Sequence, residues 1–176
     1  MKKLITSALV LLIAFTSCKK DEETEISATG GNATVTAGLY GFDGNNAGKF
    51  SSTKAGITQV TAAGITTFSI TAIKDNSNES ITIILLKKIT ATGKISFGSA
   101  LANGAMVISK DYTKPADLSL NYSSDRNSRL MTGGGEVNIT KLDGDKVEGH
   151  FMASVSTMQK KNLSLNKGLF QAASNS

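Results

Sequence analysis

Several residue types that carry chemistry or rigid structure are scarce in this chain. It has one cysteine, one histidine, one proline and no tryptophan among 176 residues. One cysteine excludes an internal disulfide, and a single cysteine with a single histidine excludes an ordinary zinc site. Without tryptophan, few flat aromatic platforms remain for a sugar-binding surface. The low proline content, 17 glycines and abundant Thr, Ser, Ile and Val favour strands over helices.

Charge and length set further limits on function. The formal net charge is +5, and it falls to +3 if Lys2 and Lys3 are removed with a leader. The charges are scattered, without a basic stripe or interleaved aromatics, so we expect no nucleic-acid binding. The length fits a single domain that can sustain a core without disulfides.

The first 17 residues have the pattern of a secretory signal peptide. Two lysines after Met1 precede an apolar run over residues 4–15, which is shorter than the roughly 20 residues that span a bilayer. The run ends in Phe-Thr-Ser before Cys18, which is similar to a lipobox. We therefore predict a lipoprotein that Cys18 anchors in the membrane through diacylglyceryl and acyl chains such as palmitate. The alternative is a cleaved, soluble secreted protein with a stray cysteine.

A cluster of charged residues follows the cysteine directly: Lys19, Lys20, Asp21, Glu22 and Glu23. It resembles the export signal of Bacteroidetes lipoproteins, which implies an outer-membrane protein sent to the cell surface. The alternative is a charged tether on a protein that faces the periplasm. Residues 18–32 are predicted to form a flexible, lipidated tether because they hold too little apolar surface to fold. The fourteen residues after Cys18, 19–32, reach at most about 50 Å when extended.

The remainder predicts one all-β domain over residues 33–170, followed by a disordered tail at 171–176. Short apolar alternations separated by Gly, Asn, Asp and Ser predict antiparallel strands. They form a β-sandwich or a partly open β-barrel of about 8–11 strands. The predicted strands are 33–42, 49–54, 57–63, 66–74, 79–88, 92–97, 104–109, 117–122, 134–141, 145–157 and 162–170.

One hairpin can be placed in register from its apolar pattern. Pairing Phe68 with Leu85, Ile70 with Ile83 and Ala72 with Ile81 puts six apolar side chains on one face. This register leaves a loop at residues 75–78 and places Lys74 opposite Glu79. Ile84 and Leu86 point the other way, so we expect the second strand to be central and covered on both faces.

A second hairpin is predicted around a three-residue loop of Leu142, Asp143 and Gly144, with Gly144 in the left-handed conformation. The core face then pairs Ile139 with Val147, Val137 with Gly149 and Gly135 with Phe151, so that the ring covers a glycine. The polar face pairs Glu136 with His150, Asn138 with Glu148 and Thr140 with Lys146.

This second hairpin carries a family resemblance. Residues 135–151 show the pattern G-x-V-x-I-T-x-x-D…V-x-G-x-F, and residues 168–170 end the domain in G-x-F. The pattern resembles a family of small Bacteroidetes lipoproteins of unknown function, over about residues 65–170. His150 stands where that family more often has threonine. The resemblance implies the fold and the location at the cell envelope. The family has no known activity or assigned site.

Residues that could carry chemistry are few, and each has a simpler interpretation. His150 beside Glu136 is expected to be a solvated pair, and no G-x-S-x-G nucleophile motif accompanies it. Glu136 and Glu148 are the best carboxylate pair for glycoside hydrolysis, but they fall on an exposed face. The acidic residues at 75–79 and at 143 and 145 suit turns better than calcium. Gly133, Gly134 and Gly135 are expected to form a flexible connection or a bulge.

We therefore assign no catalytic residue, metal or cofactor, and predict a non-enzymatic binding or structural role at the cell envelope. The alternative is a carrier of a small apolar ligand, which requires an internal cavity of roughly 300 Å³ or more. An unrecognised hydrolase that uses His150 or Glu136 is the third possibility. The protein or small-molecule partner is left open by the sequence.

Overall fold

A computed structural model describes residues 32–42, 48–125, 132–143, 146–156 and 162–172. Within these ranges the chain forms ten strands and no helix, which confirms the all-β prediction. The strands are β1 (Ala33–Tyr40), β2 (Gly48–Ala62), β3 (Ile65–Ile73), β4 (Ser80–Leu85), β5 (Gly93–Gly98), β6 (Gly104–Ser109), β7 (Asn121–Ser123), β8 (Gly134–Asp143), β9 (Lys146–Ser156) and β10 (Asn162–Ala172).

All strands belong to one antiparallel sheet with the order β10-β1-β2-β3-β4-β6-β7-β9-β8-β5. The sheet curls round because β9 also pairs with β10, which lies at the start of this order. Of the two architectures that the sequence left open, the structure is therefore the partly open barrel. Its open edge is β5, which pairs with β8 alone among the strands. The side chain of Asn103 covers part of this edge, because its Nδ2 donates to the Ser96 carbonyl at 2.6 Å.

The first hairpin has the predicted register. Phe68 pairs with Leu85, Ile70 with Ile83 and Ala72 with Ile81, and all six side chains are fully buried. β4 is central, as expected, because it pairs with both β3 and β6. The expectation that its second face is covered is wrong. Ile84 is 38% exposed and Leu86 is 52% exposed on the outer surface.

The two short strands predicted at 49–54 and 57–63 are halves of the single long strand β2. The apolar alternation breaks between them because β2 contains an irregularity. Val35 of β1 pairs with Ser52, whereas Ala33 pairs with Ala55, so β2 holds one extra residue there. Thr53 and Lys54 are consequently both exposed. Such a bulge lets a long strand bend round a barrel.

The strand predicted at 117–122 is mostly a turn. The Asp117 carboxylate accepts hydrogen bonds from the backbone N–H of Ser119 at 3.0 Å and from its hydroxyl at 2.6 Å. β7 therefore begins only at Asn121. At the end of the domain, β10 runs to Ala172, two residues beyond the predicted end of the last strand.

The register of the second hairpin differs from the prediction by two residues. Val137 pairs with Phe151 and Ile139 with Gly149, and beyond a bulge at Thr140 the pairing resumes as far as Asp143 with Lys146. The three-residue loop is therefore wrong, because Leu142 and Asp143 both belong to the ladder. Gly144 lies outside the described residues, so its predicted left-handed conformation is untested. The predicted core face is correct, with Val137, Ile139 and Phe151 buried.

Aromatic rings cover two strand glycines, although not in the predicted combination. Phe97 lies opposite Gly135, and Phe151 lies opposite Gly168. A Cβ added to Gly135 would meet the Phe97 ring, and one added to Gly168 would meet the Phe151 ring. The predicted pairing of Phe151 with Gly135 is wrong because of the register difference. Both rings are 2% exposed and belong to the barrel core.

Candidate functional site

The residues predicted to direct the protein to the membrane precede the described part of the chain. Cys18 and the charged cluster Lys19, Lys20, Asp21, Glu22 and Glu23 lie outside the residues that the structure describes. The lipid anchor and the export signal therefore stay predictions. The described chain begins at Asn32, directly before β1.

The polar residues of the second hairpin do not form the predicted pairs. His150 is exposed and lies opposite Asn138 rather than Glu136. Glu136 lies opposite Met152 and is 3.2 Å from the Lys94 ammonium. Glu148 lies opposite Lys141, and their charged atoms are 3.5 Å apart. Met152, the partner of Glu136, is four residues from Glu148 along β9. The backbone positions of the two carboxylates are therefore about 13 Å apart along the strand.

The acidic loop at residues 75–79 is used for structure. The Asp75 carboxylate accepts hydrogen bonds from the Thr53 backbone N–H at 3.1 Å and from its hydroxyl at 3.0 Å. This ties the β3–β4 loop to β2. Among the described residues no group of three or more Asp, Glu, His or Cys side chains converges as a metal site would require. Asp145 lies outside those residues, and Asp143 ends β8.

The three consecutive glycines serve a close approach between strands. A Cβ on Gly98 would meet the Gly134 Cα at 2.5 Å and the Gly133 carbonyl oxygen at 2.7 Å. The Gly133 carbonyl accepts a hydrogen bond from the Ser99 hydroxyl at 3.2 Å. Gly134 and Gly135 are regular members of β8, so the predicted flexible connection or bulge is wrong at these two positions.

Aromatic rings close one end of the barrel, which we call the aromatic end and define by Tyr40, Phe42, Phe50 and Tyr122. The Tyr40 ring meets those of Phe42 and Phe50 edge-on, at 5.4 Å and 5.3 Å between centroids. Phe42 also contacts Tyr122 at 5.3 Å. Tyr40, Phe50 and Tyr122 are almost fully buried. These contacts fill the interior at this end.

Charged groups surround the aromatic end. The Lys74 ammonium lies 5.4 Å from the Tyr40 ring centroid and 2.8 Å from the Glu79 carboxylate. Burial raises the pKa of Glu79, but hydrogen bonds from Lys74 and Ser77 and the nearby Tyr40 hydroxyl outweigh it and hold this pKa below its usual value. Burial, with the Glu79 carboxylate, raises the pKa of Tyr40 far above its usual range. The Tyr40 hydroxyl is buried and does not reach Glu79 in the geometry of an ordinary hydrogen bond.

The opposite end, where β2 turns into β3, is apolar on its outer surface. We call it the hairpin end. Five large apolar side chains there are 38–60% exposed, and we call them the apolar patch: Val60, Ile65, Ile84, Leu86 and Leu101. Register places Val60, Ile65 and Ile84 on one face of neighbouring strands, with the half-buried Thr67 and Ser69 of β3 between them. Val60 pairs with Thr67 and Ile84 with Ser69, which are next-but-one neighbours on β3. Leu86 donates its backbone N–H to Asn103, close to Leu101.

A lysine-lined loop adjoins the apolar patch. Residues 87–95 surround a surface pocket of about 120 Å³ whose walls include Lys87, Lys88 and Lys94. The loop is fixed to the hairpin because the Ile89 backbone N–H donates to the buried Gln59 side-chain oxygen at 2.6 Å. We call residues 87–95 the lysine loop. Lys87 and Lys94 are exposed, and Lys88 is half-buried. The sequence did not predict this loop or the apolar patch, because the outward side chains of β4 were expected to be covered.

The barrel interior is filled by large side chains. Phe68 and Phe97 and the buried rings of the aromatic end occupy it together with the inward Ile, Leu and Met residues of β3, β4 and β6. The pocket at the lysine loop is partly open to solvent and smaller than the roughly 300 Å³ that a ligand carrier needs. The ligand-carrier alternative therefore gains no support from this pocket.

Comparisons with protein-family models, with curated proteins and with solved structures found no match for this chain. Within the described ranges, no helix is long and apolar enough to cross a membrane.

Proposed function

We propose that this protein is a lipid-anchored domain of the cell envelope with a binding or structural role and no catalytic activity. One observation carries the proposal, which is the position of the only cysteine directly after an N-terminal basic and apolar segment. Acylation gives this thiol a use in an exported protein, and two or three acyl chains hold a protein on a membrane almost permanently. The resemblance of the second hairpin to small Bacteroidetes lipoproteins supports the same address.

The organisation of the chain also supports an anchored domain. The described chain begins at Asn32 and enters β1 at Ala33, close to the proposed anchor in sequence. The histidine and the carboxylates that chemistry would use are exposed or are paired with lysines at separate sites. A folded domain on a lipid anchor is suited to contact other envelope components.

Mass spectrometry of the native protein tests the anchor. We expect the N-terminal peptide to begin at Cys18 and to carry the mass of a diacylglyceryl group and an acyl chain. A Cys18→Ala variant should leave the membrane fraction or accumulate with its leader uncleaved, whereas a Ser27→Ala variant in the tether should stay membrane-bound. An unmodified sulfur, or a mature chain that still begins at Met1, would refute the proposal.

The side of the membrane is tested separately. We propose that the charged cluster after Cys18 directs the protein to the cell surface, so protease added to intact cells should degrade the wild-type protein. A variant with Asp21, Glu22 and Glu23 replaced by alanine should be protected while remaining acylated. Protection of the wild-type protein, with lysed cells as the control, would indicate that the domain faces the periplasm.

A further inference from the structure

We propose that the hairpin end docks onto an anionic lipid surface, with the apolar patch entering the interface and the lysine loop contacting the headgroups. The inference rests on the proposed function in that Cys18 holds this end of the barrel near a bilayer. It adds a second membrane contact, made by the folded domain itself, which orients the barrel relative to the membrane.

β1 begins at the same end of the barrel as the β2–β3 hairpin. β1 begins at Ala33, which pairs with Ala55 of β2, and β2 continues beyond that pair to Ala62. The β2–β3 hairpin therefore projects past the start of β1 by seven residues, or about 23 Å. It projects at the same end of the barrel as Asn32, where the described chain begins.

The residues between Cys18 and β1 are numerous enough for the hairpin end to reach the membrane. The tether of residues 19–32 spans at most about 50 Å when extended. This exceeds the projection of the hairpin beyond Ala33, so an anchored chain can place the hairpin tip on the membrane. The aromatic end lies at the other end of the same strands and is turned away from the anchor in this orientation.

The surface of the hairpin end combines exposed apolar side chains with lysines. Single exposed apolar side chains are ordinary, but several of them gathered on one end of a domain mark an interaction site. Ile65 is 60% exposed, and Val60 and Leu86 are each about half exposed. An apolar group beside cations is the combination that interfacial membrane contacts use.

The charge distribution selects the partner. Residues 48–74 and 80–110 contain no carboxylate, and Asp75 and Glu79 between them lie in or beside the β3–β4 loop at the aromatic end. Glu136 of β8 lies 3.2 Å from the Lys94 ammonium, so the net positive charge of the lysine loop comes from Lys87 and Lys88. A second copy of this chain would bring lysine loops together and would be repelled. An anionic bilayer offers an apolar layer and negative headgroups at the same surface, and it attracts each nearby lysine.

The experiment uses the acylated protein reconstituted in vesicles. Because acylation consumes the Cys18 thiol, a Val60→Cys variant has one free thiol for an environment-sensitive fluorophore. Ile73→Cys is the matched control, since Ile73 is also β-branched, outward-facing and 40% exposed, but lies at the opposite end of β3. The vesicles consist of phosphatidylcholine alone, or of phosphatidylcholine in which about one lipid in three is the anionic phosphatidylglycerol.

We expect the fluorophore at position 60 to shift to shorter wavelength in anionic vesicles and to become roughly tenfold less accessible to iodide. The fluorophore at position 73 should stay accessible. In a Lys87→Gln/Lys88→Gln background the protection at position 60 should fall, whereas Lys49→Gln, at the start of β2 near the aromatic end, should leave it unchanged. Added salt should act like the lysine substitutions.

Three results would overturn the docking. Equal accessibility at positions 60 and 73 would show that the hairpin end is not at the interface. Protection that rises with protein density in the vesicles, and not with anionic lipid, would assign the patch to a second copy. Protection that is the same in both vesicle types would remove the role of the lysine loop. Two fluorophores per chain would instead reveal an unmodified Cys18, which refutes the anchor and is read separately by mass spectrometry.

Discussion

The packing of Phe151 against Gly168 leads to a quantitative prediction about stability. The ring lies where a side chain on Gly168 would be, and three of its carbon atoms would overlap an added Cβ. Because Phe151 is 2% exposed, it cannot swing into solvent to make room. Gly168→Ala therefore forces a buried ring against its neighbours.

The size of the effect follows from opposing terms. Overpacking a core by one methyl group costs about 1–3 kcal/mol. Replacing a strand glycine by alanine returns about 0.5–1 kcal/mol through the unfolded chain. We expect a net loss of about 1–2 kcal/mol for Gly168→Ala. Phe151→Leu alone should cost about 1–2 kcal/mol, a part of the roughly 3–5 kcal/mol for full truncation.

The double variant separates this mechanism from general destabilisation. Leucine at position 151 vacates the space that the new methyl group enters, so the combined loss should be at least about 1 kcal/mol smaller than the sum. At Gly135 the added Cβ would meet the Met152 carbonyl oxygen as well as the Phe97 ring. Because no substitution removes a main-chain oxygen, Phe97→Leu should restore little of the stability that Gly135→Ala loses.

Urea unfolding followed by circular dichroism measures all of these variants. Gly56→Ala is the matched control, because it lies in a strand and an added Cβ meets nothing within 4 Å. It should stabilise the protein by about 0.5–1 kcal/mol, because no overpacking opposes the gain through the unfolded chain. If Gly168→Ala is not less stable than the wild-type protein, or if its effect adds to that of Phe151→Leu, the packing argument is refuted.

Two further predictions concern buried polar contacts. Gln59→Leu should cost about 1–3 kcal/mol and speed amide exchange at Ile89, because it removes the acceptor for a buried N–H; unchanged exchange at Ile89 would contradict this. Since the pKa of Glu79 is lowered in the folded chain from 4.5, its stabilising effect is complete above about pH 4.5 and is lost as the pH falls through the lowered value. Glu79→Gln should therefore flatten the acid side of the stability profile, and a slope equal to the wild-type slope would refute the role of the Lys74 pair.

The register of the first hairpin was predictable because several independent signals agree. Strict alternation fixes which residues face inward, and the opposite charges of Lys74 and Glu79 fix the register across the loop. Both are local properties of the sequence. The salt bridge at 2.8 Å and the buried partners Ile70 and Ile83 follow from them.

The second hairpin shows what alternation cannot determine. A shift of two residues leaves every side chain on the same face, so the apolar pattern fits both the predicted and the observed register. The observed register also needs a bulge at Thr140, and its hydroxyl donates to the Glu148 carbonyl at 3.2 Å. Nothing in the residue types marks that bulge, so the predicted pairs of His150 and Glu136 were wrong while the core face was right.

The location of the apolar patch limits how a partner can bind it. β3 pairs with β2 and β4, and β4 pairs with β3 and β6, so the backbone groups under most of the patch are already used. A partner strand can add only at an edge, such as β5, where Asn103 covers part of the backbone, or residues 56–62 of β2, which extend beyond the pairing with β1. Contact at Ile84 and Leu86, which do not lie at an edge, must therefore come through side chains. A lipid interface satisfies this condition without strand addition, and for that reason the exposed Ile84 and Leu86 need not make the sheet prone to edge-to-edge aggregation.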